Sequence, residues 1–209
     1  MNTILLKEVG KKFSRQTIFS NISFKAQQGD IIAITGYNGS GKSTLLQIIA
    51  AYITPTQGSV EYFFNEKKIQ SESIYKHISL AAPYQELIEE FTLSELLSFY
   101  TKFKTLSDVH SVTKILEISH SGFSKSKQIK YYSSGMKQRV KLTLALMTDV
   151  SFILLDEPHS NLDKEGILWF RDLLLHNRGN KIIFISSNRV EEETGFCNKF
   201  LNLEDYKKS

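Results

Sequence analysis

Apolar residues along this chain concentrate in three short, unbroken runs, at positions 31–34, 152–155 and 182–185. Runs that do not alternate with polar residues mark strands covered on both faces, as in a mostly parallel sheet. Each is far shorter than the ~20 residues a helix needs to cross a bilayer. The first run, flanked by Asp30 and Thr35, passes into a glycine-rich stretch and then into Leu45, Leu46, Ile48, Ile49 and Tyr52 at helical spacing. That order predicts strand, loop and helix. Residues 3–7, 22–26 and 58–64 read as further strands able to form a small antiparallel sheet, the last of them after a turn at Thr54, Pro55, Thr56 and Gln57. Between about 86 and 127 the pattern becomes that of amphipathic helices, with Leu93, Leu96, Leu97 and Tyr100 on one stripe and Val112, Ile115 and Leu116 on the next. The expected fold is α/β in a single domain over 1–209. Residues 1–85 and 141–209 form its core, with an N-terminal antiparallel subdomain, and 86–140 form a small helical subdomain.

Composition narrows the class without naming a function. With 209 residues, 41% hydrophobic and 23% charged, the chain is long enough for one core and ordinary enough to exclude disorder or a fibrous repeat. Twenty-six Lys and Arg stand against 22 Asp and Glu, a net charge of +4 spread along the sequence. Such an excess suits a phosphate ligand, an acidic membrane surface or nucleic acid equally. The single cysteine, Cys197, excludes an intramolecular disulfide and a cysteine-based zinc cluster, fits a reducing compartment and reads as an inert thiol. Ile4, Leu5 and Leu6 are too short an apolar run for a signal-peptide core.

The chemistry starts at Gly36-Tyr37-Asn38-Gly39-Ser40-Gly41-Lys42-Ser43, which matches G-x-x-x-x-G-K-[ST] between a predicted strand and a predicted helix. Glycines let successive N–H groups point into one concavity, and the helix N-terminus adds partial positive charge there. Lys42 can reach the β- and γ-phosphates of a nucleotide, and the Ser43 hydroxyl can ligate the Mg²⁺ that bridges them. Gly36, Asn38, Gly39, Ser40, Gly41, Lys42, Ser43 and Thr44 are the expected ATP-binding set, and the core is expected to be of the P-loop NTPase type. Farther on, residues 152–157 form an apolar strand ending in Asp156 and Glu157. Asp156 is placed to hold the metal, and Glu157 to polarise a water for attack on the γ-phosphate.

Tyr132-Ser133-Ser134-Gly135-Met136, followed by Lys137-Gln138-Arg139-Val140, resembles the signature loop LSGGQ-x-QR-V of the nucleotide-binding subunits of ABC transporters. Ser133 suits a helix N-cap, and Met136, Val140, Leu144 and Met147 form an apolar seam behind it. With the phosphate loop and the acid pair in the same order, the resemblance covers nearly the whole chain. It implies that Ser133 and Gly135 contact ATP across a two-fold dimer of such subunits, and that Ser160-Asn161-Leu162-Asp163 is the D-loop joining the two sites. Phe13, ahead of the first hairpin, corresponds to the aromatic that stacks on adenine, or it anchors the hairpin. A glutamine contacting metal and water is expected within 78–86. Gln85 is the candidate, with Tyr84 and Glu86 as alternative occupants. Where the family has its switch histidine the chain has Asn188, which can donate a hydrogen bond but cannot become cationic, so slow hydrolysis is expected. His77, His110, His120, His159 and His176 lie elsewhere and read as surface or packing groups.

The resemblance thus implies a Mg-dependent ATPase with catalytic Lys42, Glu157 and Asn188, and with Ser43, Asp156 and Gln85 at the metal. Such an ATPase is expected to work on the cytoplasmic face of a membrane with a transmembrane permease subunit and a second ATP-binding subunit, identical or not, and no nucleic acid is expected. The alternative is a soluble ABC-type ATPase acting on ribosomes or DNA. Chains of those kinds usually carry two such cores or a long coiled coil, and neither is visible here. A P-loop kinase would leave the signature loop and D-loop without a role.

Overall fold

The three apolar runs are the central strands of one sheet. In a computed structural model, which describes residues 1–119, 124, 126–188 and 194–207, they form β3 (Ile31–Thr35), β7 (Phe152–Asp156) and β8 (Ile182–Ser186). Every residue of all three is buried, as unbroken apolar runs demand. The sheet has five strands in the order β6, β7, β8, β3, β9, with β6 at Ile78–Ala81 and β9 at Lys199–Asn202. β8 pairs in parallel with both β7 and β3, and β3 in parallel with β9. The helix after the glycine-rich loop is α1 (Lys42–Ile49), and it buries Leu45, Leu46, Ile48 and Ile49 as its spacing predicts.

The expected antiparallel sheet is larger than the pattern suggests. β1 (Thr3–Phe13) and β2 (Gln16–Gln27) form a long hairpin, β4 (Gln57–Phe64) pairs with β1, and β5 (Lys67–Ile69) pairs with β4. Register shifts between Leu6 and Val9 and beyond it let β1 continue past Lys7 and Glu8 while Ile4, Leu6 and Val9 all stay buried. Those shifts hide the strand's outer half from a period-two reading.

The chain divides into two compact units, one of residues 1–80, 150–157 and 180–209, the other of 81–149 and 158–179. In the first, Ile4, Phe19, Ile34, Leu45, Leu154 and Phe184 belong to one apolar cluster. Tyr62 is buried there and donates its hydroxyl to the Ile49 carbonyl at 3.0 Å; burial raises its pKa.

The second unit holds the helices expected over 86–127 and behind Ser133, α2 (Leu93–Tyr100), α3 (Val109–Ser119) and α4 (Ser134–Met147). It also holds α5 (Lys164–Asn177), which the sequence pattern did not predict and which lies in the stretch 141–209 expected to belong to the core. Leu93, Leu96, Leu97, Val112 and Leu116 pack with Met136, Val140, Leu144 and Met147 in one cluster, so the stripes of separate helices share a core. A capping box starts α2. The Thr92 hydroxyl accepts from the Glu95 N–H while the Glu95 carboxylate accepts from the Thr92 N–H.

His77 lies 4.7 Å from Phe64 and His159 5.0 Å from Phe170, ring centre to ring centre, and His176 is exposed. The His110 side chain and the whole of His120 lie outside the described residues. Among the described residues no helix is long and apolar enough to cross a membrane.

Candidate functional site

β3 ends at Thr35, α1 begins at Lys42, and the six residues between them form the loop 36–41. Gly41 is the N-cap of α1, with φ 102 and no side-chain cap bond. A Cβ at this position would lie 2.4 Å from Ile18 Cγ2 on β2, so glycine is required both by backbone angle and by space. The loop carries the chain out of a buried strand and into the N-terminus of a helix, and one of its own turns is closed by the Ser40 N–H donating to the Tyr37 carbonyl at 3.0 Å.

Lys42 is buried, and its ammonium donates to the carbonyls of Gly36 at 2.8 Å and Tyr37 at 3.1 Å. Burial lowers its pKa, opposed by the negative charges of Glu157, Asp156 and Glu204. The loop's outer arm is tied down from the C-terminal segment. The Tyr37 N–H donates to Glu204 Oε1 at 3.2 Å, and the Lys207 ammonium bonds the Tyr37 hydroxyl. Asn38 and Gly39 are exposed, Ser40 is buried, and Thr44 is half-buried in the first turn of α1.

Asp156, the last residue of β7, is buried, and register sets it beside Ser186 at the end of β8. The Ser186 hydroxyl donates to Asp156 Oδ1. Burial raises the Asp156 pKa, while the hydroxyls of Ser186 and Ser43 pull it down. Its other oxygen, Oδ2, is buried with no hydrogen-bond partner among the described residues. A buried, orphaned carboxylate oxygen beside a serine hydroxyl fits a hard divalent cation. No group of three or more His, Cys, Asp or Glu that could hold a metal exists among the described residues. Asp156 and Ser43 are the residues that would hold such a cation.

Glu157 adopts φ 46, a left-handed conformation unusual for its type. Its N–H is held by both the carbonyl and the hydroxyl of Ser186, each at 3.2 Å. Its carboxylate Oε1 accepts from Asn188 Nδ2 at 3.0 Å. The structure therefore brings Lys42, Ser43, Asp156, Glu157 and Asn188 together in one unit. It adds Ser186, which sequence reasoning missed because a serine closing an apolar strand carries no local signal. Phe13 belongs to the same unit. It stands at the tip of the β1–β2 hairpin, not ahead of it, and is 49% exposed with the Lys11 ammonium 4.9 Å from its ring.

Three expected residues lie in the other unit. Ser133 is the N-cap of α4, its hydroxyl accepting from the Met136 N–H at 3.2 Å. Gly135 runs against residues 160–163, where a Cβ would come within 2.9 Å of the Asn161 carbonyl oxygen. Arg139 fixes the same segment, reaching Asp163 Oδ1 at 3.3 Å while its guanidinium lies 4.9 Å over Trp169. Gln138 donates to the Pro158 carbonyl at 2.9 Å. Gln85 is half-buried on the connection between β6 and α2, and its N–H donates to the Ala82 carbonyl at 3.1 Å.

A parallel sheet with a lysine-bearing glycine loop after one strand, and a buried aspartate closing another, defines a P-loop nucleotide-binding protein. The family model described as ABC transporter matches residues 19–160. The ABC transporter ATP-binding protein YybJ of Bacillus subtilis (strain 168) is 32% identical over 92% of this chain and 88% of its own length. The chain belongs to the ABC transporter family, and the family binds and hydrolyses ATP. The Nod factor export ATP-binding protein I of Rhizobium etli is 28% identical over 98% of this chain, which spans only 66% of that relative. In fold, the chain resembles a dimeric bacterial ABC transporter cassette, with a TM-score of 0.77 at 23% identity over 95% of this chain and 93% of the cassette.

Proposed function

We propose that this chain is the ATP-hydrolysing subunit of a transporter, working in a two-fold sandwich with a second ATP-binding subunit and driving a separate transmembrane permease from the cytoplasmic face of the membrane. The observation that carries the reading is the clustering, within one unit, of the Lys42 ammonium, the Ser43 hydroxyl and the acids Asp156 and Glu157. Export named for the Rhizobium relative and the dimeric state named for the bacterial cassette support the transport and the sandwich.

Backbone N–H groups of the loop and the N-terminus of α1 bind the phosphates, and Lys42 adds a full positive charge. Ser43 and Asp156 would hold a Mg²⁺ ion, which would supply positive charge to offset that of the bound phosphates. Phe13 offers an exposed ring for adenine. Glu157 takes a proton from the attacking water, and Asn188, bonded to its carboxylate, fixes the base in place. Ser133 and Gly135 complete the site of the partner subunit, supported by the open N-terminus of α4 that Ser133 caps.

Glu157→Gln tests the assignment. The variant should bind ATP, accumulate an ATP-bound dimer on size-exclusion chromatography, and lose turnover by ~10²- to 10⁴-fold. Turnover equal to the parent's would remove Glu157 from its role.

A further inference from the structure

Ser186 is buried at the end of β8 and makes more contacts with the acid pair than a strand-end serine needs to satisfy its own hydroxyl. Its proton goes to Asp156 Oδ1, its oxygen accepts the Glu157 N–H, and its carbonyl accepts the same N–H a second time. The hydroxyl thus donates to the last residue of the neighbouring strand β7 and accepts from the residue that follows it. Occupying Oδ1 leaves Oδ2 as the oxygen without a partner. Holding the Glu157 N–H from two oxygens keeps that residue in its left-handed conformation, the one in which its carboxylate meets Asn188.

We infer that Ser186 is a positioning residue for the reaction: it presents Asp156 to the cation through Oδ2 and locks the backbone of Glu157, so that metal ligand and base are oriented by one side chain. This rests on the roles proposed above for Asp156 and Glu157. A packing serine needs none of this; alanine in its place would remove the Ser186 donor from Asp156 Oδ1 and free the Glu157 N–H from one of its two bonds.

The test compares Ser186→Ala, and the near-isosteric pair Ser186→Thr and Ser186→Val, with the parent and Glu157→Gln in the full chain. Thr and Val differ by the hydroxyl alone and both suit a strand, so their comparison survives any loss of folding in the Ala variant. ATP affinity is measured calorimetrically in excess chelator and in saturating Mg²⁺, and kcat, KM and the thermal midpoint are recorded. Loss of the hydroxyl should leave chelator-state ATP affinity unchanged, cut the Mg²⁺-dependent gain roughly tenfold and lower kcat roughly 10- to 100-fold, the scale of one or two bonds to charged groups. Ser186→Thr should stay near the parent and Ser186→Val should follow Ser186→Ala. The inference is overturned if Val and Thr give the same Mg²⁺-dependent gain and kcat while Glu157→Gln loses turnover. If Glu157→Gln keeps the parent's turnover, the acid-pair reading itself fails and takes the inference with it.

Discussion

Alanine at Gly41 would put a methyl group 2.4 Å from Ile18 Cγ2 and 3.0 and 3.1 Å from two ring carbons of Phe19. It would also force a Cβ-bearing residue to φ 102. The backbone angle costs about 1–2 kcal/mol, judged from left-handed residues in general, and overpacking a filled space costs about 1–3 kcal/mol. Together these give a loss of about 2–5 kcal/mol. Gly39 is the internal control: its φ is 79, but an added Cβ meets nothing within 4 Å, so only the angle term applies. In a domain of this size 1 kcal/mol moves the thermal midpoint by about 2–4 °C. Gly41→Ala should therefore lower the midpoint by about 4–20 °C and Gly39→Ala by about 2–8 °C, with urea unfolding giving the free energies directly. Because Gly41 caps the helix that carries Lys42, ATP affinity should fall further for Gly41→Ala than for Gly39→Ala. Equal destabilisation by the two substitutions would refute the claim that close approach of β2, and not backbone angle alone, selects glycine at 41.

Lys42→Ala should weaken Mg-ATP binding by about 100-fold or more, since the loop loses its buried cation; calorimetric titration reads this, and parent-like affinity would overturn the phosphate-loop assignment. Asn188→His should raise turnover by ~10-fold if a charge-assisted bond recovers about 1.4 kcal/mol in the transition state. Steady-state rates with and without the membrane partner check it, and no gain in either condition would end the view of Asn188 as a weakened switch residue. Arg139→Met should destabilise the second unit by about 1–2 kcal/mol, mainly through the lost stacking on Trp169, because Asp163 is solvent-exposed and its ion pair is screened. Urea denaturation measures that loss.

Local pattern was enough to identify β3, β7, β8 and α1, because strands buried on both faces must be apolar throughout and a helix with one buried face must repeat at 3.6 residues. It also found the phosphate loop, whose glycines and lysine lie within eight consecutive residues, and the Ser133 cap, whose bond spans three residues. The short strands escaped it. β6 and β9 are four residues each, and β9 buries only Leu201, so neither gives a periodic signal long enough to read. The outer half of the β1–β2 hairpin was hidden by register shifts. Beyond these elements, the sequence by itself determined which side chains could do the chemistry: a lysine, a serine and two acids in sequence-local settings. Tertiary structure alone decided how they are held. Ser186 and Asn188 reach Asp156 and Glu157 only because β7 and β8 pair in a register that sets Asp156 against Ser186. Gly41 is confined by Ile18 and Phe19, more than twenty positions earlier in the chain. Such contacts follow from the pairing of distant segments, and pairing is a property of the packed sheet that no local window of residues contains.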